Sequence, residues 1–269
     1  EKVGKSVGFI TSSSWVGVAL GVPAIALLGY IGGWRLPFYI TGGLSLVLWV
    51  PLYLCLPKGQ RLLGQRIDLI NRFKVIGRQS GPWYVLIANT AQQATLLGLM
   101  TYFAAYMIEG YGWDEANTAP GLALLGVGAV IGSFAGGVLA GRTRSLEWLA
   151  AISLAGGVVT GLLFALDLSA WIVVVMAFVA SVLVSVSMPV LMTLIMHLAG
   201  QSRGTAGGMF STSNQAGGVV GASAGGLMLS LGGYSSVGLL YLVAAVLSAS
   251  VIGIIMRRSP AFRLIGTGT

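Results

Sequence analysis

Asn89, Gln92 and Gln93 stand within two helical turns of one another in an otherwise apolar stretch. Polar side chains inside hydrocarbon are costly, so a cluster of them marks either a bond to a neighbouring helix or a site for a solute. At 100° per residue the three amides fall within about 100° of one another, on a face shared with Met100 and Phe103. Carboxamides beside a ring and a thioether suit a mostly apolar pocket with a few hydrogen bonds. Asn214 is a sixth candidate for that pocket. It lies near the middle of a stripe formed by Gly207, Ser211, Gly218, Gly221 and Gly225, whereas Gln215 points elsewhere. The glycines of that stripe, with Gly217 beside them, have small-x-x-x-small spacing and read as a close-packing surface. Gly128, Gly132 and Gly136 repeat the pattern and the reading.

Other chemistries find no residues. His197 is the one histidine and Cys55 the one cysteine, so neither a His-rich metal site nor an internal disulfide can form. No metal and no cofactor is expected. Gly126-Val127-Gly128 lacks the preceding strand that a dinucleotide loop needs. Serines and threonines occur without a neighbouring base, so an enzyme is not expected. His197, at the end of an apolar stretch, reads as a structural residue. Pro189, in the stretch with Ser181, Ser185, Met188 and Met192, predicts a kink, which serves either as a hinge or as a fit to the shape of a bundle.

The elements that would hold these residues are membrane helices. Of 269 residues, Asp, Glu, Lys and Arg make up only 8%, against roughly 25% in soluble domains. Apolar residues make up 56%, and the mean hydropathy is +0.89. A crossing helix needs about 20 apolar residues. Eight stretches qualify: 8–30, 36–56, 83–108, 118–141, 148–167, 171–197, 207–231 and 236–256. With the N-terminus inside, 14 of the 15 basic residues fall on the cytoplasmic side, and only Arg35 lies outside. Glu109, Asp114, Glu115 and Asp167 fall on the opposite face. That asymmetry orients the chain with both termini cytoplasmic, and it accounts for the net charge of +8 without a nucleic-acid partner. The polar connection at 58–82 carries Leu62, Leu69, Phe73 and Ile76 on one face, which fits an interfacial helix.

Displaced by 200 residues, the sequence matches itself. Gly4, Gly8, Ser13, Gly17, Gly21, Ala24, Leu27, Gly32 and Gly33 align with Gly204, Gly208, Ser213, Gly217, Gly221, Ala224, Leu227, Gly232 and Gly233, and Trp34 aligns with Tyr234. The first span thereby pairs with the seventh. A six-helix unit repeated in parallel predicts twelve helices, with four further helices expected ahead of Glu1.

Three segments give the chain its likeness. Gly17-Val-Ala-Leu-Gly21-Val-Pro23 resembles the antiporter motif in the fifth helix of the major facilitator superfamily, with one residue between Gly21 and Pro23. Gly33-Trp34-Arg35-Leu36-Pro37-Phe38 resembles that family's entry to its sixth helix. Gly137-Val-Leu-Ala-Gly141-Arg142-Thr-Arg144 resembles its loop signature G-x-L-A-D-R-x-G-R, with Gly141 where the family has Asp. The resemblance, nearest to the drug:proton antiporter branch, implies an all-α membrane protein. Residues 1–57 would be the last two helices of an N-terminal bundle, 58–82 a cytoplasmic linker, 83–258 a complete six-helix C-terminal bundle and 259–269 a tail. It implies a monomer in a bacterial inner membrane that exports a small organic or amphipathic molecule by alternating access, with protons as the coupling ion. Gly17, Gly21, Pro23, Gly217, Gly221, Pro189 and Arg142 would then serve packing and gating. The residues themselves supply no Asp, Glu, Lys or Arg in the central part of any span. Two alternatives therefore stand beside export: a passive channel or uniporter, and an inactive truncated transporter.

Overall fold

The computed structural model describes residues 31–55, 76–142 and 145–258, together with Lys74 and scattered positions between Phe9 and Gly29. Pro23, the 58–73 part of the linker and the 259–269 tail lie outside the described residues. Among the described residues all regular structure is helical. The elements are α1 (Arg35–Cys55), α2 (Ser80–Tyr111), α3 (Glu115–Leu139), α4 (Ser145–Ala165), α5 (Ala170–Ser185), α6 (Ser187–Leu198) and α7 (Arg203–Arg258).

Five helical stretches are long and apolar enough to cross a bilayer: Arg35–Cys55, Asn117–Leu139, Leu146–Ala165, Ala170–Leu198 and Arg203–Ile255. The last of these holds two of the expected spans. Gly232 and Gly233 leave the helical conformation and divide α7 into arms, 203–231 and 234–258. Gly233 has φ +69°, a left-handed conformation natural only to glycine, and Gly33 has φ +72°. The two glycines that align across the 200-residue displacement therefore share one unusual backbone state. The amide-bearing α2 is not among the five, although its 32 residues reach about 48 Å. Its length is set by Gly112, whose left-handed φ of +67° lets its N–H close on the carbonyls of Met107 and Ile108. Asp114 then starts α3, its carboxylate accepting from the Asn117 N–H at 2.7 Å.

The expected sixth span is two helices, α5 and α6, parted at Val186. Pro189 supplies the cause: it has no N–H for the Ser185 carbonyl one turn back, and its ring crowds that carbonyl. The interruption thus falls one turn ahead of the proline.

Glycine determines how these rods pack. Gly128, Gly132 and Gly136 of α3 lie so close to α5 that an added Cβ would strike Ser181, the Val182 carbonyl and the Val186 carbonyl. Gly157 and Gly161 of α4 meet Ala245 and Gly238 on the second arm of α7 in the same way. The helix α2 packs against both arms of α7. Gly217 and Gly221 of the first arm meet the backbone of Thr90 and Ala94, and Tyr241 of the second arm lies over Gly98. Two apolar cores result. One surrounds Phe103, Tyr106, Phe164 and Tyr241 toward the acidic end, and the other surrounds Leu191, Ile195, Phe210 and Ile252 toward the basic end. The outer faces are apolar as well: Phe38, Leu46, Leu54, Val175 and Val219 are all more than half exposed, as lipid-facing residues are.

Candidate functional site

The amides sit where α2 passes between the arms of α7. Asn89 is fully buried, and its Nδ2 donates to Ser213 Oγ at 2.7 Å and to Asn214 Oδ1 at 2.5 Å, both on the first arm. Ser213 Oγ passes its own proton to the Phe210 carbonyl at 2.7 Å. Gln92 turns to the second arm, where its Nε2 donates to Ser248 Oγ at 3.1 Å. Ser248 Oγ donates back to the Ala88 carbonyl of α2 at 3.2 Å. Two of the three carboxamides thus join three rods at one depth, the interhelical bonding that membrane helices use in place of a hydrophobic drive.

These bonds consume the amide nitrogens and leave oxygens over. Asn89 Oδ1 and Gln92 Oε1 are buried and accept no hydrogen bond among the described residues. Each such acceptor costs roughly 1–3 kcal/mol relative to a satisfied one. Gln93 is 5% exposed and makes no printed bond to either arm; it packs where Gly217 approaches, and a Cβ at Gly217 would lie 2.7 Å from that of Gln93. Asn214 is half-buried. The structure therefore brings Asn89, Gln93 and Asn214 together, while Gln92 faces the other arm.

Met100 and Phe103 extend from this polar layer toward the acidic end. Met100 is half-buried and touches two apolar clusters. Phe103 is fully enclosed against Gly121 of α3. Arg142 is exposed just past the end of α3, its N–H held by the Leu139 carbonyl at 2.9 Å. Gly17 and Gly21 have open space where a Cβ would be, unlike their repeat partners Gly217 and Gly221. His197 Nδ1 lies 2.7 Å from the Thr193 carbonyl one turn back, a local contact.

Trp15 is a residue that periodicity and polarity did not single out. It is 7% exposed and packs with Leu96 of α2, Ala129 of α3 and Val184 of α5. Its indole N–H has no acceptor among the described residues, and neither has the hydroxyl of Ser185, next to Val184. Leu96 is one turn from Gln92 and Gln93, so the Trp15 indole reaches the same depth as the amides. The available signal was its position: tryptophans favour the interfaces, and Trp15 falls inside the 8–30 stretch. Among the described residues no group of three His, Cys, Asp or Glu side chains converges. The layer offers uncharged donors and acceptors and no charge, which suits hydrogen-bonded holding of a solute and not bond-breaking chemistry.

A sequence model described as the Major Facilitator Superfamily matches residues 1–222. The chain is 28% identical over 249 residues to "Inner membrane transport protein YdhP" of Escherichia coli K12, covering 89% of this chain and 61% of that protein. It is 26% identical over 233 residues to "Putative transporter AraJ" of the same organism, covering 86% and 58%. It is 26% identical over 242 residues to "Probable sulfoacetate transporter SauU" of Cupriavidus necator, covering 81% and 56%. The chain spans about three fifths of the length of these relatives.

Proposed function

The chain belongs to the major facilitator superfamily, and from that premise we propose that it works in a secondary transporter exporting a small organic or amphipathic compound by alternating access. Membrane transport itself is what its relatives do by name. In this reading the eight apolar stretches are eight spans of a twelve-helix arrangement. Residues 1–57 end one bundle, 58–82 link, 83–258 form the second bundle and 259–269 trail it. Both termini face the cytoplasm, by the distribution of basic residues. The observation that carries the solute site is the uncharged layer of Asn89, Gln93 and Asn214 at the α2–α7 crossing, within reach of the depth occupied by Trp15.

The same layer speaks to substrate class. A dianion of the sulfoacetate kind is held best by Arg or Lys, and no basic residue stands in the central part of any span. Amides and hydroxyls around apolar walls suit a neutral or amphipathic molecule instead. Proton coupling belongs to this proposal through the family resemblance. The lack of a central carboxylate favours a second reading, passage down a gradient without coupling. Respiring everted membrane vesicles separate the two. Coupled export gives uptake of a fluorescent amphiphile above equilibrium, lost on adding a protonophore; uptake that stops at equilibrium favours the second reading.

Gln93 gives the cleaner test of the site, since it holds no arm of α7 through a hydrogen bond. Gln93→Ala is expected to lower transport about tenfold, the equivalent of one lost hydrogen bond to a bound solute, with the amount of protein in the membrane unchanged. Unaltered transport would remove the α2 layer as the site.

A further inference from the structure

Between the acidic ends of α3 and α5 lies a cavity of about 610 Å³, apart from the amide layer and lined by Trp113, Asn117, Pro120, Leu124, Trp171 and Val174. We propose that it is a lipid site, taking a phospholipid with an amine-bearing head group. Its volume falls in the range of sites that enclose a small ligand.

Two indoles form its mouth. Trp113 and Trp171 meet edge to face with ring centroids 5.5 Å apart, and Trp171 is 73% exposed. Tryptophan at this level of a membrane protein sits among lipid head groups, and an indole face attracts an ammonium group. A carboxylate stands beside them. Asp114 follows Trp113 in the chain, and its Oδ1 is 2.7 Å from the backbone nitrogen of Asn117, itself part of the lining. That capping bond uses one oxygen, leaving the other to pair with a cation. The remaining acids described at this end are Glu109, which accepts from the Tyr234 hydroxyl at 2.6 Å, and Asp167. No basic side chain lines the cavity. The charge and the rings together select an amine head over an anionic one.

The cavity also has a direction. Leu124 and Ile131 on α3, and Val175 and Val179 on α5, continue from it toward the bundle's middle as exposed apolar side chains. An acyl chain running parallel to the helices would cover them. A free amine without a tail has no use for that furrow, and this favours a lipid as the occupant. The proposal goes beyond the transport reading and stands without it, since binding is measured with no solute present.

The test is quenching of tryptophan fluorescence by brominated lipids. The protein is reconstituted in phosphatidylglycerol vesicles containing either phosphatidylethanolamine or further phosphatidylglycerol, brominated close to the head group. The amine-headed lipid is expected to quench about twofold more, the effect of one cation–π contact. The excess should vanish in Trp113→Phe/Trp171→Phe, which removes the reporters. It should also vanish in Asp114→Asn, which keeps the helix cap because Asn caps as well as Asp. Size-exclusion chromatography establishes that each variant is folded. Equal quenching by the two lipids, or an excess that survives in Asp114→Asn, would overturn the proposal. So would complete displacement by tetramethylammonium, a head with no tail.

Discussion

Adding one carbon at Gly221 is expected to lower the thermal midpoint of the detergent-solubilised protein, while the same carbon added at Gly208 raises it. Both residues are helical glycines on the first arm of α7, so intrinsic propensity favours Ala at each by up to about 1 kcal/mol. Their surroundings differ. A Cβ at Gly208 meets nothing within 4 Å. A Cβ at Gly221 strikes the carbonyl oxygen, carbonyl carbon and Cα of Ala94. Those are backbone atoms of α2, which cannot rotate aside as a side chain would. The arm must back away, and the Asn89–Ser213 and Asn89–Asn214 bonds two turns along are stretched with it. The cost is about 2 kcal/mol, of the size found for overpacked cores, and it exceeds the gain in propensity. Fluorescence-detected size-exclusion chromatography after heating reads both variants. Shifts of the same sign at the two positions would mean that the first arm does not contact α2 through its glycines.

The second large effect is expected at Asn89. Asn89→Ala removes the donor shared by Ser213 Oγ and Asn214 Oδ1 and opens a void in a fully buried position. A cost of about 2 kcal/mol follows from losing both bonds and the packing. Asn214 is half-buried, so its oxygen can find water once the partner is gone, and Asn214→Ala alone should cost less. The double variant should then be milder than the sum of the singles by about 1 kcal/mol, near the upper range for one interhelical bond in a membrane. Strict additivity would show that the two amides do not share a proton. Transport by Asn89→Ala should fall along with stability, whereas Gln93→Ala separates the two.

Hydropathy alone made the rods legible. It marked the stretches that became α1 and α3 to α7, because lipid tolerates few charges in a crossing segment. The division of α7 was legible too, since two adjacent glycines followed by an aromatic residue recur 200 residues apart. The place of the break in the sixth stretch was less so. A proline advertises a kink, but the chain opens at Val186, where the missing hydrogen bond falls, and not at Pro189. The shared face of Asn89, Gln92 and Gln93 was readable from 100° spacing, yet periodicity on one helix cannot tell which neighbour each side chain meets. Because α2 runs between two arms, Asn89 bonds to one, Gln92 to the other, and Gln93 to neither through a printed bond. Trp15 escaped for a related reason: its partners Leu96, Ala129 and Val184 come from three helices that sequence does not bring together.

The account rests on Gln93 and its neighbours lining a path that opens to each side of the membrane in turn. The most direct measurement places a single cysteine at Gln93 after replacing the exposed native Cys55 with Ser, and applies a membrane-impermeant maleimide to intact cells and to inside-out vesicles. Labelling from both sides is predicted, with a cysteine at the lipid-facing Val175 labelled from neither. Labelling of position 93 from one side alone, or from neither, would contradict alternating access through the α2–α7 layer.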